Sequence, residues 1–126
     1  MRRFVFSFVA IWLLTQAAQA GQPLLTLADY QDLDDDGREA FVVGVYDGLK
    51  VAEQYYKGQD LAWLGDCTAH GTSSEELFEI FEAYLPDHTD AALFGVAPAF
   101  VYAMADHCAN APQYMKDLAQ SAMLAP

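Results

Sequence analysis

The chain has 126 residues, 54% of them hydrophobic, with 18 Asp and Glu against 6 Lys and Arg, formally -12. That length and apolar content describe one small folded domain and exclude a disordered chain. The charge repels phosphate backbones and anionic headgroups, and the basic residues form no concentrated patch, so nucleic acid is excluded as a partner.

Residues 1–20, MRRFVFSFVAIWLLTQAAQA, place Arg2 and Arg3 before an apolar run and close on Ala18-Gln19-Ala20. These are the three parts of a secretory signal peptide. The apolar run is about 11 residues long, whereas spanning a bilayer takes roughly 20, so no membrane anchor is expected after cleavage. Cleavage after Ala20 leaves residues 21–126 as a single exported domain, periplasmic or secreted, with 4 basic and 18 acidic side chains, formally -14. In an oxidising compartment Cys67 and Cys108, the two cysteines of the chain, have one intramolecular pairing open to them, and a disulfide is predicted.

Leu24, Leu27, Ala28 and Leu33 give a short, weakly helical start. From Asp36 onward Phe41, Val45, Leu49, Ala52 and Tyr56 recur at spacings that predict a central amphipathic helix. Gly44 and Gly48 stand one turn apart on its neighbouring edge, where each sacrifices helix propensity and is expected to let another backbone approach. Lys57-Gly58-Gln59-Asp60 breaks this helix, and Trp63, Leu64 and Cys67 follow in an apolar segment pinned to the core by the disulfide.

Ser73 and Glu76 have capping-box spacing and open a helix whose core positions are Leu77, Ile80, Phe81, Tyr84 and Leu85. Pro86 and Asp87 end it. A further helix over 90–108 carries Leu93, Ala97, Phe100, Val101, Met104 and Cys108, with Pro98 forcing a kink or a restart. The last helix, over 112–123, begins at Pro112 and has Tyr114, Met115, Leu118 and Met123 to bury. The fold class is therefore all-α, a small bundle of four main helices plus a short N-terminal one, held by one disulfide.

Asp32, Asp34 and Asp36 followed by Gly37 match the start of a calcium loop, but Glu39 and Val43 stand where an apolar residue and a bidentate Glu are needed. Calcium at Asp32, Asp34 and Asp36 is thus a weak candidate, and the preferred reading is an acidic helix start in which Asp35 or Asp36 caps free amides. His70, His88 and His107 lack the spacing of a zinc pair. The sequence has no nucleophile elbow, phosphate loop or dinucleotide turn. No enzyme activity, metal or cofactor is expected.

What remains is surface. Tyr55 and Tyr56 cannot face the same way on a helix, so one of them is a candidate exposed anchor. The run Asp34, Asp35, Asp36, with Asp60 in the linker after the central helix, would steer a basic protein partner.

The blocks AFVVGVYDGL, WLGDCTAHGTSSEELFEIFEAYL and VAPAFVYAMADHC, with Cys67 and Cys108 in register, resemble the Rap/Tai family of periplasmic immunity proteins, which neutralise peptidoglycan amidase effectors of type VI secretion. The resemblance implies an all-helical inhibitor, often a homodimer, that occludes the cleft of a secreted amidase effector with a loop or helix end. Val42 and Val43 stand where the family often has a further Cys, and 18 residues follow Cys108. Two other readings belong to different classes. One is an acid-stress periplasmic chaperone resembling the HdeA-like proteins, since acid would swing the formal charge of residues 21–126 from -14 to +7. The other is a calcium-dependent structural module built on Asp32 to Asp36.

Overall fold

A computed structural model describes residues 25–55, 61–93 and 95–121. The expected signal segment, Tyr56, Asp60 and Met123 lie outside the described residues. Among those described there are six α-helices and no strand: α1 (Leu27–Gln31), α2 (Asp35–Tyr55), α3 (Ala62–Thr68), α4 (Ser74–Tyr84), α5 (Val96–His107) and α6 (Gln113–Ser121). Two 3-10 turns, Leu85–Asp87 and Thr89–Ala92, join α4 to α5. The all-α bundle with one disulfide is the fold the sequence predicts. The helix it does not predict is α3, whose seven residues are too few to show a period.

Local chemistry sets the starts. Thr26 and Asp29 form a reciprocal capping box on α1, and Ser73 and Glu76 form another on α4. At α2 the cap is Asp34, whose Oδ1 accepts from the Gly37 amide at 2.8 Å, where the sequence pointed to Asp35 or Asp36. The restart before α5 is made by Gly95 at φ +114°, a conformation that disfavours any side chain. Pro98 is the third residue of α5, in a first turn whose amides have no intrahelical acceptor, so it restarts the helix without kinking it.

α5 is the hub, packing against α4 and α6 and touching α2, while α2 packs on α4. Ala99, Phe100, Ala103, Met104 and Ala105 of α5 are fully buried. Edge-to-face contacts run through the centre from Phe41 to Tyr30 to Phe81 to Phe100, with ring centroids 5.6, 5.6 and 5.8 Å apart. The Cys67–Cys108 disulfide, with Cα atoms 5.8 Å apart, ties the last turn of α3 to the end of α5. Trp63 and Leu64 are buried beneath it. Asn110 Nδ2 donates to the Trp63 carbonyl at 3.0 Å, and the Tyr46 and Thr68 hydroxyls are hydrogen-bonded at 2.7 Å.

Three expected core residues are outside. Leu93, Tyr114 and Leu118 are 74%, 59% and 48% exposed. The 3-10 turn and Gly95 interrupt the phase that placed Leu93 on the α5 stripe. α6 lies on the outside of the bundle and buries little more than Ala119, whose carbonyl accepts from the Tyr84 hydroxyl at 3.0 Å.

Candidate functional site

The inner face of α2 centres on Val42, the one fully buried residue of that helix, flanked by half-buried Phe41, Val45, Tyr46 and Leu49. Gly44 and Gly48 do not receive a neighbouring backbone. A Cβ built on either meets nothing within 4 Å, and both are exposed. The expected close approach is therefore wrong, because the elements that pack on α2 meet the Val42 side and leave the glycine edge to solvent. At helical spacing that edge runs Gly44, Gly48, Val51, Tyr55, and Val51 and Tyr55 are 55% and 73% exposed. Tyr55 is thus an exposed aromatic, as one member of the Tyr55 and Tyr56 pair had to be.

Beside this edge lies an open groove of about 540 Å³. Its α2 wall is Val45, Gly48 and Leu49, its α5 wall is Ala97, Pro98, Val101 and Tyr102, and Met115 of α6 closes one side. The lining holds no charged side chain. Pro98 adds to the apolar wall where a first-turn amide would otherwise face solvent. Ala97 and Val101 read as core in the sequence, and nothing in the local pattern marks Pro98 or Tyr102 as surface that lines a groove. The signal that would have found them is the composition of α5: apolar residues surround it, more than one core-facing stripe can absorb.

At the other end of α2 the acidic turn projects into solvent. Asp32, Asp34, Asp35 and Asp36 are all exposed. Asp34 is engaged as the cap, and Asp35 pairs with Arg38. Gly37, the sixth position of the calcium pattern, has a different use here, since a Cβ would stand 2.9 Å from the capping Asp34 oxygen. Among the described residues no three His, Cys, Asp or Glu side chains come together in a way that could hold a metal ion.

Arg38 anchors the turn to the bundle. Its Nη1 donates to Glu82 Oε2 at 2.8 Å, and the other oxygen of that carboxylate accepts from the Tyr30 hydroxyl at 2.6 Å. The hydrogen bond to Asp35 is the main reason the guanidinium pKa is raised. Burial, then the Glu82 hydrogen bond, pushes the Tyr30 phenol far above its ordinary range.

The structure brings together two residues that the sequence kept apart. His88, which precedes α5 in the chain, and His107, the last residue of α5, border one depression between α4 and α5. Ser73, a potential nucleophile by type, is committed to its helix cap. Among the described residues no helix is long and apolar enough to cross a membrane. Compared with family models, curated proteins and solved structures, the chain matches none.

Proposed function

We propose that this chain is an exported binding protein of the immunity type, which docks an apolar segment of a basic peptidoglycan hydrolase effector in the α2–α5 groove and occludes its active site. The observation that carries the reading is the groove itself, about 540 Å³ in volume and lined by no charged side chain, on an otherwise acidic protein. Open apolar surface of this kind on a small domain marks an interaction site. Tyr55 and Val51 beside it supply anchors, and the exposed aspartates at the far end of α2 supply steering toward a basic partner. Occlusion needs shape and anchors, with no catalytic group. The disulfide fits an oxidising compartment.

The test is capture of candidate secreted hydrolases by the oxidised protein at neutral pH, followed by their assay at equimolar ratio. One hydrolase inhibited stoichiometrically by the wild type, and uninhibited by a Gly48→Arg variant with an unchanged circular dichroism spectrum, supports the reading. Gly48 suits this purpose because its Cβ direction is open, so the long side chain obstructs the groove without disturbing the core. Inhibition that Gly48→Arg leaves intact would move the interface elsewhere. Capture without inhibition, or suppression of client aggregation only at low pH, would overturn the inhibitor reading, the latter in favour of an acid-stress chaperone.

A further inference from the structure

The walls of the α2–α5 groove specify the shape of what fills it. Three rows at i+4 spacing run side by side along α2. Phe41, Val45 and Leu49 are half-buried, Gly44, Gly48 and Ala52 form the next row, and Asp47, Val51 and Tyr55 form an exposed outer row. The middle row is a channel between two ridges, because a Cβ built on Gly44 or Gly48 meets nothing within 4 Å. From Gly44 to Tyr55 the channel is about 16 Å long at the rise of an α-helix. On the far side Met115 of α6 lines the groove, and Leu118, one turn on from it, is exposed, as is Tyr114 one turn before Leu118. Both rims therefore carry exposed apolar side chains.

Backbone chemistry selects a helix to lie between them. Among the described residues there is no strand, so an extended segment entering the groove finds no sheet edge to take its amides and carbonyls. A helix brings those groups already paired and presents a ridge of its own at i+4 spacing, which fits between the two ridges of α2. Charge selects the sign of its flanks. Residues 21–126 are formally -14, and Asp47 stands exposed on the outer ridge. The lysines of the wall helices are committed within the protein, Lys50 to Glu53 and Lys116 to the Ala109 carbonyl. A second copy of this chain would bring the same net negative charge to the face, which opposes self-association there.

We propose, resting on the reading of the groove as the docking site, that its occupant is a cationic amphipathic α-helix of the partner. An apolar i+4 ridge of that helix lies in the Gly44–Gly48 channel, its apolar face meets Pro98, Val101 and Met115, and Lys or Arg on its flank faces Asp47.

The probe is a capped peptide of about 18 residues, five helical turns, with Leu along one face and Lys on both flanks. One control has the same composition with two central residues exchanged for Pro, which breaks the helix, and another has Glu in place of Lys. Binding to the oxidised protein is read by the methyl resonances of Ala97 and Met115 and by the far-ultraviolet circular dichroism of the peptide. The expected result is a saturable shift of both methyls with a gain of peptide helicity, and binding about tenfold or more weaker for each control. Gly48→Leu fills the channel without altering the charge and should abolish the shift, while its open Cβ direction leaves the fold intact. Asp47→Lys should weaken binding by about fivefold. No saturable shift, equal binding of the proline or the Glu peptide, or indifference to Gly48→Leu would overturn the proposal. Methyl shifts that grow with protein concentration in the absence of peptide would also overturn it, in favour of a second copy as the occupant. The two readings fail separately. A hydrolase inhibited through the groove while the Lys peptide does not bind strikes the helix and keeps the docking site, whereas peptide binding with no hydrolase inhibited keeps the helix and strikes the inhibitor.

Discussion

Tyr30 and Tyr84 each bury an aromatic ring and place a hydroxyl on a specific acceptor, Glu82 Oε1 for the first and the Ala119 carbonyl for the second. Tyr30→Phe keeps the edge-to-face contacts but leaves the Glu82 carboxylate without that donor, and should cost about 1–2 kcal/mol in denaturant unfolding. Both phenols have folded pKa values above the unfolded value of about 10, so each binds its proton more tightly in the native state. Their contribution is full below about pH 10 and is lost as pH rises toward 12 and beyond. Stability should therefore fall steeply above about pH 10, and the fall should be shallower in Tyr84→Phe, measured by urea midpoints across that range. At the same scale Asp34 and Gly37 meet in a helix cap. A capping carboxylate and a small residue three positions on share their letters with the start of a calcium loop, and here the Asp34 carboxylate accepts from the Gly37 amide at 2.8 Å.

Among the elements, α4 was the most legible, although Ile80, an expected core position, is only half-buried. Ser73 and Glu76 cap it, and Leu77, Phe81, Tyr84 and Leu85 are buried as their spacing requires. Ser73→Ala should cost about 1 kcal/mol, read as a lowered melting temperature with unchanged oxidation state. The α1 box of Thr26 and Asp29 is an equally clear local signal in a segment whose apolar pattern is weak. In α2 the period was right and the phase was offset, since Val42 and not Phe41 or Val45 is fully buried. A helix wheel has no absolute zero, and the partner that sets it is α4, distant in sequence. Because Gly44 and Gly48 face open space, Gly44→Ala and Gly48→Ala should each stabilise by about 0.5–1 kcal/mol in urea unfolding. If the glycines were packed, as their pairing suggested, the same changes would destabilise.

Across the whole molecule the disulfide is the longest-range constraint. It closes 41 residues and joins α3, a seven-residue helix that buries Trp63, Leu64 and Thr68, to the end of the hub helix. Reduction, or Cys67→Ser with Cys108→Ser, should lower stability by about 4 kcal/mol in the chain-entropy model. Trp63, the one tryptophan after residue 20 and buried at 5% exposure, should shift its emission to the red at lower denaturant when the bridge is open. The one-sided charge also acts globally. On the proposed inhibitor reading, association with a basic hydrolase should slow as salt rises while dissociation changes less, because steering is screened and an apolar groove contact is not.

The sequence by itself determined what local and additive physics controls: helix type from the period of apolar residues, the α4 cap, the stop at Pro86, the single cysteine pairing and the sign of the charge. Each of these depends on residues within about one helical turn, or on a count that has no alternative. The tertiary structure decided which face of α2 is covered, where Leu93, Tyr114 and Leu118 point, and that Val45, Val101 and Met115 meet along one groove while His88 and His107 meet along another surface. Those are relations between residues tens of positions apart, fixed by the packing of helices against α5, and no spacing within one helix encodes them.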